Sequence, residues 1–336
     1  MIAILCVSSL FCLCAFGLAP QAPPVEKQGW LCPAQGDNPM PYWGHKDGIG
    51  VTVPACRGPR GLMGIQTPYL GQKGYQALNF IAIEPVVEGR RGFSEMEQSS
   101  LDGVQGLRLW TTDNLDLDAI PNKEARPAQG RIETVDGVET LSFYVHIERM
   151  RNGAQPIIEV TFRADKPHEV EFVVHAADHS ATMDSCILSA TMGNYARLRL
   201  LRLKSGHADA TTLWKGDPVP DNGFFPHRSW HLADLIREGE DAVVFAQPSE
   251  SDPTAAEYHP NVPSHWKYQG VMATQYWRMH HPSPRLICRV NARESYYGTS
   301  GAALPGGPAL ENFELEEPFL EGQQFQFGAI PVDPHR

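Results

Sequence analysis

Alternation of apolar and polar residues is the strongest pattern along this chain. In LSFYVHIE, residues 141–148, every second side chain beginning with Leu141 is apolar. IIEVTFRA and EVEFVVHA repeat the alternation and are separated by the turn-forming residues DKP. Because neighbouring side chains of a β-strand point to opposite faces, the pattern predicts three strands of an antiparallel meander with one face in the core.

Many more short segments have the composition of strands. The chain's 30 glycines and 28 prolines are spread along its length and separate these segments by short turns. The segments are IGVTV, LMGIQ, NFIAIEP, LRLWTT, CILSATM, RLRLLRLK, DAVVFA, QYWRMH, LICRVNA, ENFELEE and QFQFGAI. So many short strands in one chain predict an all-β fold, a large antiparallel β-sandwich of the jelly-roll or supersandwich type.

One segment, SWHLADLIREGE, has a helical pattern. Ser229 is placed to cap its first turn, and Gly239 is placed to end it. Leu232, Leu235 and Ile236 form an apolar stripe between them. We therefore expect one short peripheral helix here, covering one end of the sandwich.

The first nineteen residues carry no charge and give way to the proline-rich PQAPPVEKQG. This pattern predicts a cleaved export signal over 1–19, a linker over 20–29 and a single β-sandwich domain over 30–336. A retained N-terminal anchor is the alternative; with cleavage, no stable membrane span is expected. No Asn-x-Ser/Thr acceptor occurs, which favours a bacterial periplasmic or secreted protein.

Charge and motifs narrow the classes of partner. The formal net charge of -11 argues against a nucleic acid or an anionic membrane surface as the main partner. The sequence contains no GxxxxGK[ST] motif, no GxGxxG after a strand and no GxSxG motif. We therefore expect no nucleotide cofactor and no ordinary serine-esterase chemistry.

Four of the seven cysteines lie beyond the predicted signal. Cys32 and Cys56 flank a segment rich in glycine and proline, and we expect a disulfide between them. Cys186 and Cys288 stand in apolar, strand-like runs, where two buried thiols and a second bridge are both consistent with the pattern.

Glu84 is the first candidate for chemistry. In NFIAIEP, alternation places it on a strand face with Phe80 and Ala82, where burial would raise the pKa of the carboxyl and suit a general acid. The alternative is a structural carboxylate paired with one of the arginines Arg57, Arg60, Arg90 or Arg91.

A second candidate set lies in TQYWRMHH, where alternation puts Tyr276, Arg278 and His280 on one face. Elimination in a uronic-acid polymer needs a cation to neutralise the carboxylate, a base and an acid. Arg278, His280 and Tyr276 would fill these roles in that order. The same three residue types also occur as ordinary solvated side chains on strand faces.

Other polar groups are weaker candidates. The histidines of HAADH and HRSWH have metal-like spacing, but neither segment is a specific metal motif, and we expect structural or surface histidines and no metal. Paired carboxylates for glycoside hydrolysis stay open, with Glu84, Glu95, Glu97, Asp102, Glu148 and Glu294 as candidates.

Aromatic residues beside polar ones give the one positive indication of a substrate. Such mixtures bind sugars, with an aromatic ring under the apolar ring face and polar groups at the hydroxyls. The ligand-binding candidates are Trp43, His45, Asn79, Tyr144 and His146.

Three blocks resemble uncharacterised secreted bacterial proteins, and they cover under a quarter of the chain. They are NFIAIEPVVEGRRGFSEMEQS, SATMGNYARLRLLRLKSG and PGGPALENFELEEPFLEGQQFQFG. More loosely, the IEP strand with scattered His, Arg and Glu resembles the galactose-mutarotase-like superfamily. That resemblance implies a β-sandwich and a sugar ligand. The IEP segment comes early here and late in that family, so no catalytic residue is carried over.

These observations support two hypotheses of function. The first is an exported protein that binds or processes polysaccharide, as a lyase or hydrolase without a cofactor. The second is a non-catalytic carbohydrate-binding or envelope-associated protein, in which the acidic groups and histidines are structural.

Overall fold

The structure, a computed structural model, describes residues 21–54, 60–67, 76–191, 198–218, 223–249, 273–295, 303–304 and 306–331. Within these residues the chain forms two large antiparallel sheets and one short α-helix. The predicted all-β sandwich is therefore confirmed.

Twenty-two strands are assigned in the described part of the chain. They are β1 (Val25–Lys27), β2 (Trp30–Cys32), β3 (Tyr42–His45), β4 (Gly50–Thr52), β5 (Met63–Thr67), β6 (Gln76–Val87), β7 (Arg90–Arg91), β8 (Leu109–Thr112), β9 (Arg131–Val135), β10 (Val138–Ile147), β11 (Pro156–Arg163), β12 (Glu169–Ala176), β13 (Ser185–Thr191), β14 (Leu198–Leu203), β15 (Gly206–Asp209), β16 (Arg228–His231), β17 (Ile236–Glu238), β18 (Asp241–Pro248), β19 (Ala273–Met279), β20 (Ile287–Arg293), β21 (Ala309–Pro318) and β22 (Gln323–Pro331).

The first sheet has the order β1-β2-β3-β4-β5-β6-β13-β21-β20-β16, with β7 paired to β6. The second has the order β15-β14-β18-β19-β22-β12-β11-β10-β8, with β17 paired to β18 and β9 paired to β10. The predicted meander is present as β10-β11-β12, toward the β8 end of the second sheet. All eleven further segments predicted as strands contribute to strands in the structure.

The core lies between the two sheets and draws on both of them. Trp277 of the second sheet reaches across it, and its indole Nε1 donates a hydrogen bond to the carbonyl oxygen of Phe313 in the first sheet, at 2.8 Å. Trp43 of the first sheet stacks on Phe143 of the second, with ring centroids 4.1 Å apart. The apolar face predicted for β10 is buried in this core. Because the inner faces pack together, polar groups available for function lie on the outer faces.

The helix predicted over SWHLADLIREGE is wrong. Residues Arg228–His231 form β16, Leu232–Asp234 a single 3-10 turn, and Ile236–Glu238 form β17. Ser229 pairs with β20 and does not cap a helix. The two halves pair with different sheets, so backbone pairing overrides the local helical pattern. The short helix is α1 (Ala210–Leu213), capped by the Asp209 side chain.

The N-terminal region and the cysteines add further findings. The segment predicted as a linker contains β1, which pairs with β2. Residues 1–19, the predicted signal, lie outside the described residues. Helices in the described part of the chain lack the length and apolar character of a membrane span.

Cys32, Cys186 and Cys288 are buried, and the described residues contain no disulfide. Cys186 and Cys288 are therefore thiols. Cys56 lies outside the described residues, and the Cys32–Cys56 bond stays a prediction.

Gly328 tests the packing of the second sheet. It pairs with Tyr276 across β19 and β22, and a Cβ at Gly328 would lie 2.0 Å from the Tyr276 Cζ. We expect Gly328→Ala to lower the free energy of unfolding by about 1–3 kcal/mol, because the ring must move. In a Tyr276→Ala background the same substitution should cost much less. Denaturant unfolding of the four proteins measures this coupling, and an equal cost in both backgrounds would contradict the packing.

Candidate functional site

The predicted catalytic residues lie on opposite outer faces of the sandwich. On β6, Ile83 faces the core and Glu84 faces outward from the first sheet. On β19, Trp277 faces the core, so Tyr276 and Arg278 face outward from the second sheet. Glu84 therefore does not share a site with the Tyr276, Arg278 and His280 set.

Polar side chains around Arg91 form a buried cluster on the outer face of the first sheet. The Arg91 Nη2 pairs with the carboxylate of Glu84 and donates to Oε1 of Glu314 at 2.7 Å. His227 Nε2 lies 3.2 Å from the same oxygen, and the Ser189 hydroxyl lies 3.4 Å from it. We call Glu84, Arg91, Glu95, His227 and Glu314 the Arg91 cluster.

Strand order explains why these side chains meet. β13 lies between β6 and β21, and its Ser189 stands opposite both Ala82 and Glu314. Small side chains on the middle strand leave room for long side chains from its neighbours. The tight β6–β7 hairpin pairs Val86 with Arg91, which places the guanidinium on the same outer face as Glu84.

The cluster separates the pKa values of its carboxyls. Burial raises the pKa of Glu84 to about 8, against the opposing charge of Arg91. Burial, with the charge of the neighbouring Glu311, raises the pKa of Glu95 to about 7. Burial also acts on Glu314, but the hydrogen bond from His227 and the charge of Arg91 hold its pKa below the ordinary value. Near neutral pH the cluster therefore combines carboxyls that retain protons with an ionised carboxylate.

Both interpretations of Glu84 describe part of its environment. The side chain is 4 % exposed and its pKa is raised, as a general acid would require. It is also paired with Arg91, one of the arginines expected for a structural role. Glu95, by contrast, is only half-buried, and it has no hydrogen-bond or ion-pair partner among the described residues. Glu95 is therefore the more accessible of the two raised carboxyls.

Tyr276, Arg278 and His280 share a face, as their alternation indicates, but other protein groups already engage them. Arg278 pairs with three carboxylates, those of Glu169, Glu238 and Asp241. Burial and the charge of Glu169 raise the pKa of Tyr276, whose hydroxyl donates to Glu169 at 2.9 Å. His280 Nδ1 lies 2.5 Å from Asp241 Oδ1. Arg278 therefore has little charge left to neutralise a substrate carboxylate.

The predicted ligand-binding residues are dispersed. Trp43 is in the core with its Nε1 donating to the Ala128 carbonyl, and Asn79 is in the core, bonded to Gln275 of the other sheet. His45 ends β3 at the edge of the Trp30 ring. Neither Trp43 nor Asn79 presents surface to a ligand in this structure.

The two candidates on β10 face outward under a covering of other groups. His146 stacks on Trp110, lies 2.8 Å from the Thr112 hydroxyl, and has its pKa lowered to about 4 by burial. Tyr144 donates to Glu159 and lies beneath the guanidinium of Arg131. Of the five candidates, Tyr144 lies beside residues that line an open groove on this face.

The histidine pairs are divided among different surroundings. His175 of HAADH lies between Glu159 and Glu321, whereas His179 is exposed. His227 of HRSWH belongs to the Arg91 cluster. The described residues contain no group of three or more His, Cys, Asp or Glu side chains arranged to hold a metal.

Neither Glu314 nor Ser189 was singled out from the sequence, and His227 was considered only as one of two histidines with metal-like spacing. The alternation in ENFELEE was a signal for Glu314, because it places Glu314 and Glu316 on the face opposite Phe313 and Leu315. What the alternation could not supply is the neighbour of that strand. His227 and Ser189 come from distant segments, and strand pairing brings them to Glu314.

Comparison with known proteins finds no matching family, no matching characterised protein and no matching solved structure.

The raised pKa of Glu84 predicts a pH-dependent stability. A carboxyl whose pKa is higher in the folded state stabilises the fold below pH 4.5, and this contribution is lost as the pH rises through about 8. Between pH 5 and pH 8 we expect wild-type stability to fall more than that of Glu84→Gln, by at least about 1.4 kcal/mol, the equivalent of one pKa unit. Urea unfolding at each pH measures the difference. The exposed Glu88→Gln is the control, and identical pH slopes for E84Q and wild type would refute the assignment.

Proposed function

We propose that this protein is an exported carbohydrate-active enzyme that hydrolyses glycosidic bonds at the Arg91 cluster. One observation carries the proposal: near the Arg91 guanidinium, the pKa of the Glu95 carboxyl is raised and the pKa of the Glu314 carboxyl is lowered. Glycoside hydrolysis commonly needs one carboxylic acid that keeps its proton and one carboxylate that stays charged. The loose resemblance of the IEP strand to the galactose-mutarotase-like superfamily favours sugar as the substrate, and no catalytic residue is taken from that resemblance.

Glu95 is the proton donor in this proposal. Its side chain is half-buried, so it is within reach of a substrate, and its pKa of about 7 keeps it largely protonated in mildly acidic solution. The carboxyl has no protein partner among the described residues to compete for its proton. It would deliver that proton to the leaving glycosidic oxygen as the bond from this oxygen to the anomeric carbon breaks. A water molecule would then add to the anomeric carbon and return a proton to the Glu95 carboxylate.

Glu314 supplies the negative charge. It is 1 % exposed, and Arg91 and His227 hold it ionised. Its depth suits electrostatic stabilisation of positive charge developing on the sugar ring better than direct attack on it. Glu84 shares Arg91 with Glu314, so its protonation sets how much of the guanidinium's charge Glu314 receives.

Hydrolysis is favoured over elimination in a uronate polymer. Elimination requires a cation free to bind the substrate carboxylate, and Arg278 faces three protein carboxylates. The raised pKa of Tyr276 also makes its hydroxyl a poor proton donor to a leaving group.

Glu95→Gln tests the catalytic assignment. With the purified protein on a panel of neutral and acidic polysaccharides, we expect release of new reducing ends from at least one polymer. E95Q should lower kcat by 10²-fold or more, because general-acid catalysis contributes typically 10²–10⁴-fold. Wild-type activity should fall as the pH rises through about 7, where Glu95 loses its proton. Glu88→Gln, on an exposed turn, should retain activity.

Two results would decide against this proposal. Activity of E95Q close to that of wild type, with the same alkaline limb, would remove Glu95 from the mechanism. Binding of a polymer with no bond cleavage across the panel would instead favour the second hypothesis, a non-catalytic carbohydrate-binding protein. The open groove on the other face of the sandwich is the observation that supports this second hypothesis.

A further inference from the structure

The outer face of the second sheet carries an open polar groove with a volume of about 440 Å³. Its lining residues come from several strands of the sheet and are mostly polar or charged. Arg131, Glu133, Ser142, Glu171, Asp241 and Gln326 are among them. None of these residues belongs to the Arg91 cluster, which lies on the opposite face.

The groove crosses the strands, and its ends are far apart. Asp241 begins β18 at one end, and Glu133 lies on β9 at the other. β19, β22, β12, β11 and β10 lie between them in the sheet. With neighbouring strands about 4.8 Å apart, six intervals span roughly 29 Å. A groove of this length fits a linear chain better than a single small molecule.

Charge in the groove disfavours an anionic chain. Four lining carboxylates, Glu133, Glu159, Glu171 and Asp241, face three basic side chains. Two of the three cations are already paired, Arg163 with Asp165 at 3.0 Å and Lys166 with Glu169 at 3.3 Å. Two of the carboxylates are paired as well, Asp241 with Arg278 and His280, and Glu159 with His175, which leaves Glu133 and Glu171 opposite Arg131. A polyuronate or sulfated chain would meet more negative charge than positive charge here.

Arg131 is the remaining cation, and its neighbours are hydroxyls. Within the described chain it has no carboxylate within 4 Å, and its Nη2 lies 3.5 Å from the Ser142 hydroxyl. The guanidinium lies over the Tyr144 ring, 5.7 Å from its centroid. A planar donor that is not paired with a carboxylate is suited to bind pairs of sugar hydroxyls.

Two lining side chains leave hydrogen-bonding groups unmet. The Gln326 Nε2 donates to Glu171 at 3.0 Å, but its Oε1 has no partner in the described structure. The Nε of Arg131 likewise lacks a hydrogen-bond acceptor there. Both atoms are buried beneath the surface of the groove, so a ligand hydroxyl reaches them only if these side chains move outward.

We propose that this groove binds a linear, uncharged polysaccharide, at a site separate from the Arg91 cluster. Only the choice of carbohydrate as ligand rests on the proposed function. The two faces would then divide the work, because the groove holds the polymer while the cluster on the opposite face cleaves it. Binding does not depend on catalysis, so the two assignments can fail separately.

Affinity electrophoresis with named polymers tests the proposal. Dextran, xylan and galactomannan are the neutral probes, and alginate and polygalacturonate are the anionic ones. We expect retardation by at least one neutral polymer and little by either anionic polymer. Arg131→Ala and Gln326→Ala should each weaken the neutral interaction at least tenfold in Kd. Glu95→Gln should bind as wild type does, even where it no longer cleaves.

Control variants separate a lost contact from a lost fold. Glu133→Ala removes an exposed lining carboxylate without opening the interior. It should weaken the affinity for the neutral polymer while leaving thermal unfolding unchanged. Arg90→Ala, on the other sheet, should leave binding intact. Unchanged affinity in all three groove variants would overturn the site. Preference for alginate or polygalacturonate would overturn the ligand class, and no retardation by any polymer would overturn both.

Discussion

Packing of the two inner sheet faces against one apolar core is the constraint on which the rest of this structure depends. The core takes every second side chain of the central strands, and it is closed by groups that reach from one sheet to the other, such as the Trp277 indole and the Asn79 amide. Trp43, an aromatic residue that the sequence suggested for sugar binding, is instead buried in this core. Chemistry is thereby restricted to the outer faces and to the loops that cover them.

Both outer faces carry carboxylates, but these carboxylates lie in different surroundings on the two faces. Around Arg91, carboxylates are crowded and buried, so desolvation and mutual repulsion move their pKa values apart. On the second sheet, carboxylates such as Glu171 and Asp241 are spread along an open groove and joined to amide, imidazole or guanidinium groups. Burial shifts the carboxyl pKa values on the first face, whereas carboxylates of the second face hydrogen-bond to neighbouring side chains.

Local pattern predicted those features that depend on neighbours in the chain. The alternation in residues 141–148 was enough for a strand, and it assigned Leu141 and Phe143 to the core correctly. The same reasoning put Tyr276, Arg278 and His280 on one face, which they share. It failed for SWHLADLIREGE, whose apolar spacing matches a helix, because its two halves are drawn into separate sheets.

The sequence alone determined the all-β class, the meander, most strand positions and the burial of Glu84, because each follows from side-chain period and turn composition over a few residues. Only the tertiary structure decided which strands are neighbours. That order joins Glu84 to Glu314 through Arg91 and surrounds Arg278 with carboxylates from three other strands. Such contacts link residues as many as 223 positions apart, and no local period encodes them.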